Sequence, residues 1–451
     1  MSALHFTPMN AIDTLIHADW IIPVEPDCHI LNGHSLAIQD GRIRAIVPRA
    51  EAESRFQARQ TVKLPGHALI PGLINAHTHI AMTLMRGIAD DLPLMTWLTE
   101  HIWPAEQAHM NEAFVREGTR LGVAEMLRSG TTCFNDMYFF PDVVAHEAAT
   151  AGIRAVVGLI MVDFPTPWAQ DPAEYLRKGV ALHDDYRGNA LIRTAFAPHA
   201  PYTVSDEPLR KVLTYAAELD IPIHIHVHET AGEIHQAVES TGQRPLARMD
   251  DLGLLSPSLI AVHMTQLLDE EIERFAETGG HIVHCPQSNM KLASGTCPVQ
   301  KLLDHGINVA LGTDGAASNN NLNMWSEMRA AALLGKLAAN SAAAVNAASV
   351  LTMATLNGAK ALGLDAETGS LTPGKAADIV AVDLTGVENQ PVYDPLSTLI
   401  YAAGRENVRQ VWIKGRQVLR DGVLTTIDAD AALRQAQIWR DKLSANAHTD
   451  S

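Results

Sequence analysis

At 451 residues the chain exceeds the ~250–300 at which a single hydrophobic core stops growing, which predicts one large unit plus a smaller one. It is 47% hydrophobic and 19% charged, the balance of an ordinary folded protein, and its formal net charge of −17 excludes a general binder of nucleic acid or of anionic membrane, both of which need a basic face. The unusual count is 21 histidines, which raises metal binding as a theme.

The opening stretch, MSALHFTPMNAIDTLIHADW, lacks a basic region followed by an apolar one, and no apolar run elsewhere is long enough to span a bilayer, so a cytoplasmic protein with a small-molecule partner is expected. Cys28, Cys133, Cys285 and Cys297 form no C-x-x-C pair and read as reduced, mostly buried thiols.

The first segment carries short β-like runs, DTLIHADWIIPV, HSLAIQDGRIRAIVP and QTVKLPGHALIPG, with QDGR as a turn signal. Apolar strands then alternate with helical stretches, the pattern of βαβ units and a parallel sheet. Strand ends are expected near His79, Asp136, Ile160, His199, His228, His263, His284 and Asp314, the count of an eight-stranded barrel. β texture returns in GSLTPGKAADIVAVDL and VRQVWIKGRQVLRDG, and DADAALRQAQIWRDKLSAN closes the chain as a helix. The fold expected is therefore α/β: a (β/α)8 TIM-like barrel over residues 69–362, beside a smaller β-sandwich domain built from both termini, residues 1–68 and 363–451 with the closing helix.

In a strand, residues i and i+2 share a face, so His77 and His79 of NAHTH project together at a strand's C-terminal end, where barrel active sites lie. H-x-H alone is a weak signal. IPIHIHVHET adds His224, His226 and His228 on one face with Glu229 following, LIAVHMT ends at His263, and NVALGTDG ends at Asp314. Burying several imidazoles and a carboxylate unpaired costs a few kcal/mol or more per uncompensated group, which favours a metal site over packing. Periodicity cannot choose among His224, His226 and His228.

The chain resembles the amidohydrolase superfamily over nearly its whole length, through PGLINAHTH, HVHE, VH and GTDG. HIAMTLMRGIADDLPLMTWL, FAPHAPYTVS, HCPQSNMKLASGTCPV and LGTDGAASNNNLNMWSEMR resemble the branch holding S-adenosylhomocysteine and methylthioadenosine deaminases, with chlorotriazine hydrolases and guanine deaminase as more distant relatives. The resemblance implies His77, His79, His226 and Asp314 as metal ligands, Glu229 as the proton-shuttling acid, and His263 as the histidine that orients the attacking oxygen. The H-x-x-E spacing of that pattern selects His226 and leaves His228 as a packing or pocket residue. Relatives with two metals bridge them by a modified lysine on the fourth barrel strand; the lysines between His79 and His284 are Lys178 and Lys211, both in helical stretches, so one divalent ion is implied. Zinc is expected, with Fe2+ and Mn2+ as alternatives for such ligands. Asp314 is expected to take a proton from the activated water and pass it towards the leaving nitrogen.

His199 resembles a substrate-contacting histidine, Glu106 a carboxylate that accepts from ribose hydroxyls, and Trp97 an aromatic beside the nucleoside. As bare residues these are a structural histidine, a helix-surface acid and a core indole. Members that favour S-adenosylhomocysteine hold its carboxylate with arginines after the third barrel strand. Here AVVGLIMVDFPTPWAQDPAEYL contains neither Arg nor Lys, while Phe164 and Trp168 offer apolar surface, so methylthioadenosine fits better. The alternatives are a guanine or triazine hydrolase, or a non-catalytic barrel used as a binding protein; an oligomer is plausible from the family.

Overall fold

The alternating stretch NAIDTLIHADWI forms β1 (Asn10–Ile21), the first strand in a computed structural model that describes residues 10–446. β2 (Leu31–Asn32), β3 (His34–Gln39) and β4 (Arg42–Pro48) follow, with β3 and β4 joined through Asp40–Gly41. Both turn residues have positive φ, 52° and 74°, the conformation of a type I′ hairpin. β5 (Phe56–Pro71) lies parallel to β1 and, with Gly72 alone between, runs on into β6 (Leu73–Thr78), the first barrel strand.

Seven further parallel strands complete the barrel: β7 (Thr131–Asp136), β8 (Arg154–Met161), β9 (Ile192–Pro198), β10 (Ile223–Val227), β11 (Leu259–His263), β12 (His281–His284) and β13 (Asn308–Leu311). The expected strand ends fall within a residue of the observed ones except the last, which stops at Leu311. At the seam between β13 and β6, side chains and single backbone bonds replace a regular ladder. Asn75 accepts from the Thr313 N–H (2.9 Å) and donates to its hydroxyl (2.7 Å), and the Asp314 N–H donates to the His77 carbonyl (3.0 Å). Gly312 is required there, because a Cβ would lie 2.8 Å from the His77 Cβ.

After the barrel come β14 (Ile379–Asp383), β15 (Val408–Ile413), β16 (Arg416–Arg420) and β17 (Val423–Leu424). β14 pairs antiparallel with β5, so the two ends of the chain share one nine-stranded sheet. That sheet curls on itself. The β15–β16 turn at Lys414–Gly415 meets the β3–β4 turn, and the concave side packs Ile16, Leu36, Ile38, Leu69, Ile379 and Trp412 into one core, giving the sandwich-like unit. The helix Ala429–Asn446, grouped with this unit in the sequence reading, packs against the barrel instead: Trp439 meets Phe114 of the helix Glu112–Arg128 edge-on at 5.3 Å. Among the described residues no helix is long and apolar enough to cross a membrane.

Barrel and sheet are joined by a buried ion pair. Arg154, the first residue of β8, donates through Nε to Asp378 Oδ2 at 2.5 Å. Thr368 donates to the same oxygen (2.8 Å), and the Lys414 N–H donates to Oδ1 (2.7 Å), so one carboxylate ties the barrel floor to the hairpin tip. Removing one partner strands a buried charge, so Asp378→Ala is expected to cost about 3–5 kcal/mol in denaturant unfolding, whereas the paired Arg154→Met/Asp378→Leu change recovers much of that loss.

Candidate metal centre and active site

Beyond the C-terminal ends of the barrel strands lies a pocket of about 860 Å3, counting its solvent-open mouth. His79, His226, Glu229, His263, Asp314, His199, Trp97 and Glu106 all line it. His77 is fully buried directly behind.

Nitrogens and one carboxylate oxygen converge at the floor. His77 Nε2 lies 3.2 Å from His226 Nε2 and 3.3 Å from Asp314 Oδ1, and His79 Nε2 lies 3.2 Å from that same oxygen. Tetrahedral ligands at the 2.0–2.1 Å of a zinc–nitrogen bond stand about 3.3 Å from one another, the spacing of these three pairs, and the ligand atoms of His77, His79 and His226, like those of His77, His263 and Asp314, gather closely enough to hold a divalent ion. Burial pushes His77 down to about 4 and His226 well below the usual imidazole range, which keeps their lone pairs free, whereas on His79 the hydrogen bond and charge of Asp314 outweigh burial and lift the pKa to about 9.

Each imidazole is aimed through its other nitrogen. His79 Nδ1 donates to the Met137 carbonyl at 2.5 Å, His226 Nδ1 to the His199 carbonyl at 2.7 Å, and His77 Nδ1 faces His224 Nε2 at 3.0 Å. A donor on Nδ1 leaves the Nε2 lone pair free for an ion, which makes His224 the acceptor in that last pair. His228 does something else. With φ at 54° it leaves the strand alternation, and its Nε2 accepts from the Leu246 N–H at 3.1 Å, outside the pocket. It is a packing residue.

Asp314, also at positive φ (63°), has its outer oxygen Oδ2 held by the Ser288 and Ser318 hydroxyls at 2.6 and 3.0 Å, while Oδ1 accepts from the Gly315 N–H. Asn289 donates to His263 Nδ1 at 3.0 Å, so the hydrogen of this ring, neutral through burial, sits on Nε2, 3.7 Å from Glu229. Burial, helped by the nearby Asp314 charge, lifts Glu229 to about 8. Its backbone is fixed by Glu233, whose carboxylate accepts from the N–H groups of His228 and Glu229.

Trp97 and Glu106 belong to a helical segment over the mouth that includes a π-helical turn, Trp97–Ile102. Glu106 is buried rather than on a helix surface, and Tyr138 donates to it at 2.6 Å. His199 is held by Thr203 (2.9 Å), and burial pushes its pKa down to about 3. Phe164 lines the pocket as expected, but Trp168 does not: it packs on Tyr175 at 5.5 Å. Sequence reasoning assigned no role to Tyr138, Ser288, Asn289, Ser318 or Glu233. The T-x-x-E of Thr230–Glu233 is a readable helix-start signature, with Thr230 accepting from the Glu233 N–H. No local pattern marks Tyr138.

A parallel barrel with a His/Asp donor set at its strand ends defines a class of metal-dependent hydrolases. Residues 68–418 match the amidohydrolase family. A 5-methylthioadenosine/S-adenosylhomocysteine deaminase of Teredinibacter turnerae is 50% identical over 439 residues, covering 97% of this chain and 99% of its own. A 5'-deoxyadenosine deaminase of Methanothermobacter thermautotrophicus is 44% identical over 89% of this chain and 93% of its own. The crystal structure of an adenosine deaminase from Xanthomonas campestris with bound zinc superimposes with a TM-score of 0.96 at 51% identity, over 97% of this chain and all of that one. The chain belongs to the amidohydrolase family, in the branch of the methylthioadenosine/S-adenosylhomocysteine deaminases.

The His77–His224 bond is open to test. Replacing His224 by Phe removes the acceptor that sets the His77 tautomer, and retention of a divalent ion is expected to weaken about 10–100-fold in competition with a chromophoric chelator.

Proposed function

We propose that the protein hydrolytically deaminates an adenosine derivative, 5'-methylthioadenosine before S-adenosylhomocysteine or adenosine. The observation that carries this reading is one pocket with a His/Asp ion site and the buried Glu229 at its floor and the buried acceptor Glu106 in its wall. The activities named for the relatives support it.

His77, His79, His226 and Asp314 would hold a single divalent ion, zinc in this reading, which would supply Lewis-acid activation of water, lowering its pKa to as little as ~7. Around it the side chains divide the proton work. Glu229, protonated at neutral pH, gives its proton to the ring nitrogen beside the carbon under attack. His263 presents Nε2–H to the attacking oxygen, an orientation supported by the Asn289 bond to Nδ1. Asp314 accepts a proton from the water and passes it to the amine, so a C–O bond forms, the C–N bond breaks and ammonia leaves, while the proton left on the new hydroxyl returns to Glu229 as the carbonyl forms; the two serine hydroxyls hold the outer oxygen of Asp314 meanwhile. His199 and Trp97 contact the base and sugar, and Glu106 accepts from the ribose.

Specificity follows from the wall. Ile160, Val162 and Phe164 are apolar, and no Arg or Lys is among the described residues that line the pocket. A neutral thioether suits that surface, whereas the charged amino-acid tail of S-adenosylhomocysteine finds no bidentate partner.

Side-by-side ultraviolet assays of metal-loaded protein are expected to show methylthioadenosine faster than S-adenosylhomocysteine and adenosine by at least tenfold, ~1.4 kcal/mol of transition-state preference. If none reacts, the adenosine reading fails and guanine and triazines become the substrates to try. Glu229→Gln is expected to lower kcat by about 10²–10⁴. Because Glu229 is raised and acts protonated, kcat/KM is expected to hold below pH 8 and to fall as pH rises through about 8; an unchanged alkaline limb in Glu229→Gln overturns that role.

A further inference from the structure

The end of β7 serves three neighbours with three successive residues. Asp136 Oδ1 accepts from the Ile80 N–H at 2.7 Å, fixing the turn after β6. The Met137 carbonyl takes the hydrogen of His79 Nδ1. Tyr138, buried in the pocket wall, donates through its phenol to Glu106 Oε1 at 2.6 Å. Glu106 itself lies outside the barrel on the short helix Trp103–His109, reached through the π-helical turn.

We propose that Tyr138 is the positioning residue for ribose recognition: its phenol occupies Glu106 Oε1 and sets the carboxylate plane, leaving Oε2 to accept from a sugar hydroxyl at a fixed distance from the metal site. The proposal rests on the reading of Glu106 as the ribose acceptor. A carboxyl torsion is broad when unheld, so a free Glu106 presents either oxygen in many directions. A charge-assisted hydrogen bond of this length, made from a barrel strand, removes that freedom. Burial lifts Glu106 to about 7, and the Tyr138 phenol, by donating to the carboxylate, works against that rise. Since Met137 orients His79 one residue earlier, the strand end that aims the ion site also sets the reach of the sugar acceptor.

The test is Tyr138→Phe, which keeps the ring and removes the donor, in the metal-loaded full chain. Metal content and the thermal midpoint are compared with the parent. Methylthioadenosine and its 2'-deoxy and 3'-deoxy analogues are the substrates. The expected result is a KM for the ribose substrate raised about tenfold, the scale of one lost hydrogen bond to a charged group, with kcat within about threefold and a smaller gap between ribose and deoxyribose substrates. Tyr138→Phe added to Glu106→Ala is expected to cost no more than Glu106→Ala alone. An unchanged KM, an equal loss of kcat on every substrate, or additive losses in the double variant overturns the proposal. If the unaltered enzyme discriminates against deoxy analogues and Tyr138→Phe does so equally, the proposal alone fails; if the unaltered enzyme deaminates no adenosine derivative, the functional reading fails and this proposal with it.

Discussion

Three imidazole nitrogens and a carboxylate oxygen crowded at the floor of one pocket, with successive neighbours 3.2–3.3 Å apart, set the terms for everything around them. Such a set repels itself unless a positive charge sits among it, and it keeps its aim only if each second nitrogen or oxygen is occupied. The supports come from different strands: carbonyls at the ends of β7 and β9, the His224 ring on β10, and serines from the segments after β12 and β13. His228, His263 and Asp314 all take positive φ where their strands end. Backbone strain of that kind persists only where surroundings over-determine it, and here the barrel wall does so.

The same demand explains why the chemistry sits near residues that never touch a substrate. Gln287, Ser288 and Asn289 are consecutive. Gln287 bonds Glu327, Ser288 bonds Asp314, and Asn289 bonds His263. Glu327 also accepts from Asn319, so one fully buried carboxylate braces the segments that follow β12 and β13 together. Asp314 and His263 are thus both held from that one segment.

The sequence made the barrel legible because parallel strands buried on both faces read as short apolar runs ending in polar residues. The runs ending near His79 and His263 are examples. For the eighth strand the sequence predicts too long a run: NVALGTD continues the apolar rhythm, but Gly312 must pass against His77, and Asn75 takes the Thr313 N–H, so pairing stops at Leu311. Alternation put His224, His226 and His228 on one face, and the left-handed turn at His228 removes it. Roles that depend on contacts across the barrel, such as Asn289 on His263 or Tyr138 on Glu106, carry no local spacing and could not be read. The docking of the C-terminal helix on the barrel is a long-range packing event of the same kind.

β5 finds one of its two ladder partners, β1, close by, but the other, β14, is more than 300 residues further along the chain. During synthesis, therefore, one flank of β5 leaves the ribosome as an open sheet edge and stays open until the whole barrel has been made. At a synthesis rate of about 5–20 residues per second, that exposure lasts roughly 15–60 seconds, a period in which an unpaired edge can recruit another chain. The edge that waits is short, His67–Pro71, and the charged Arg59 and Lys63 on the same strand just ahead of it make the exposed stretch a poorer template for another chain.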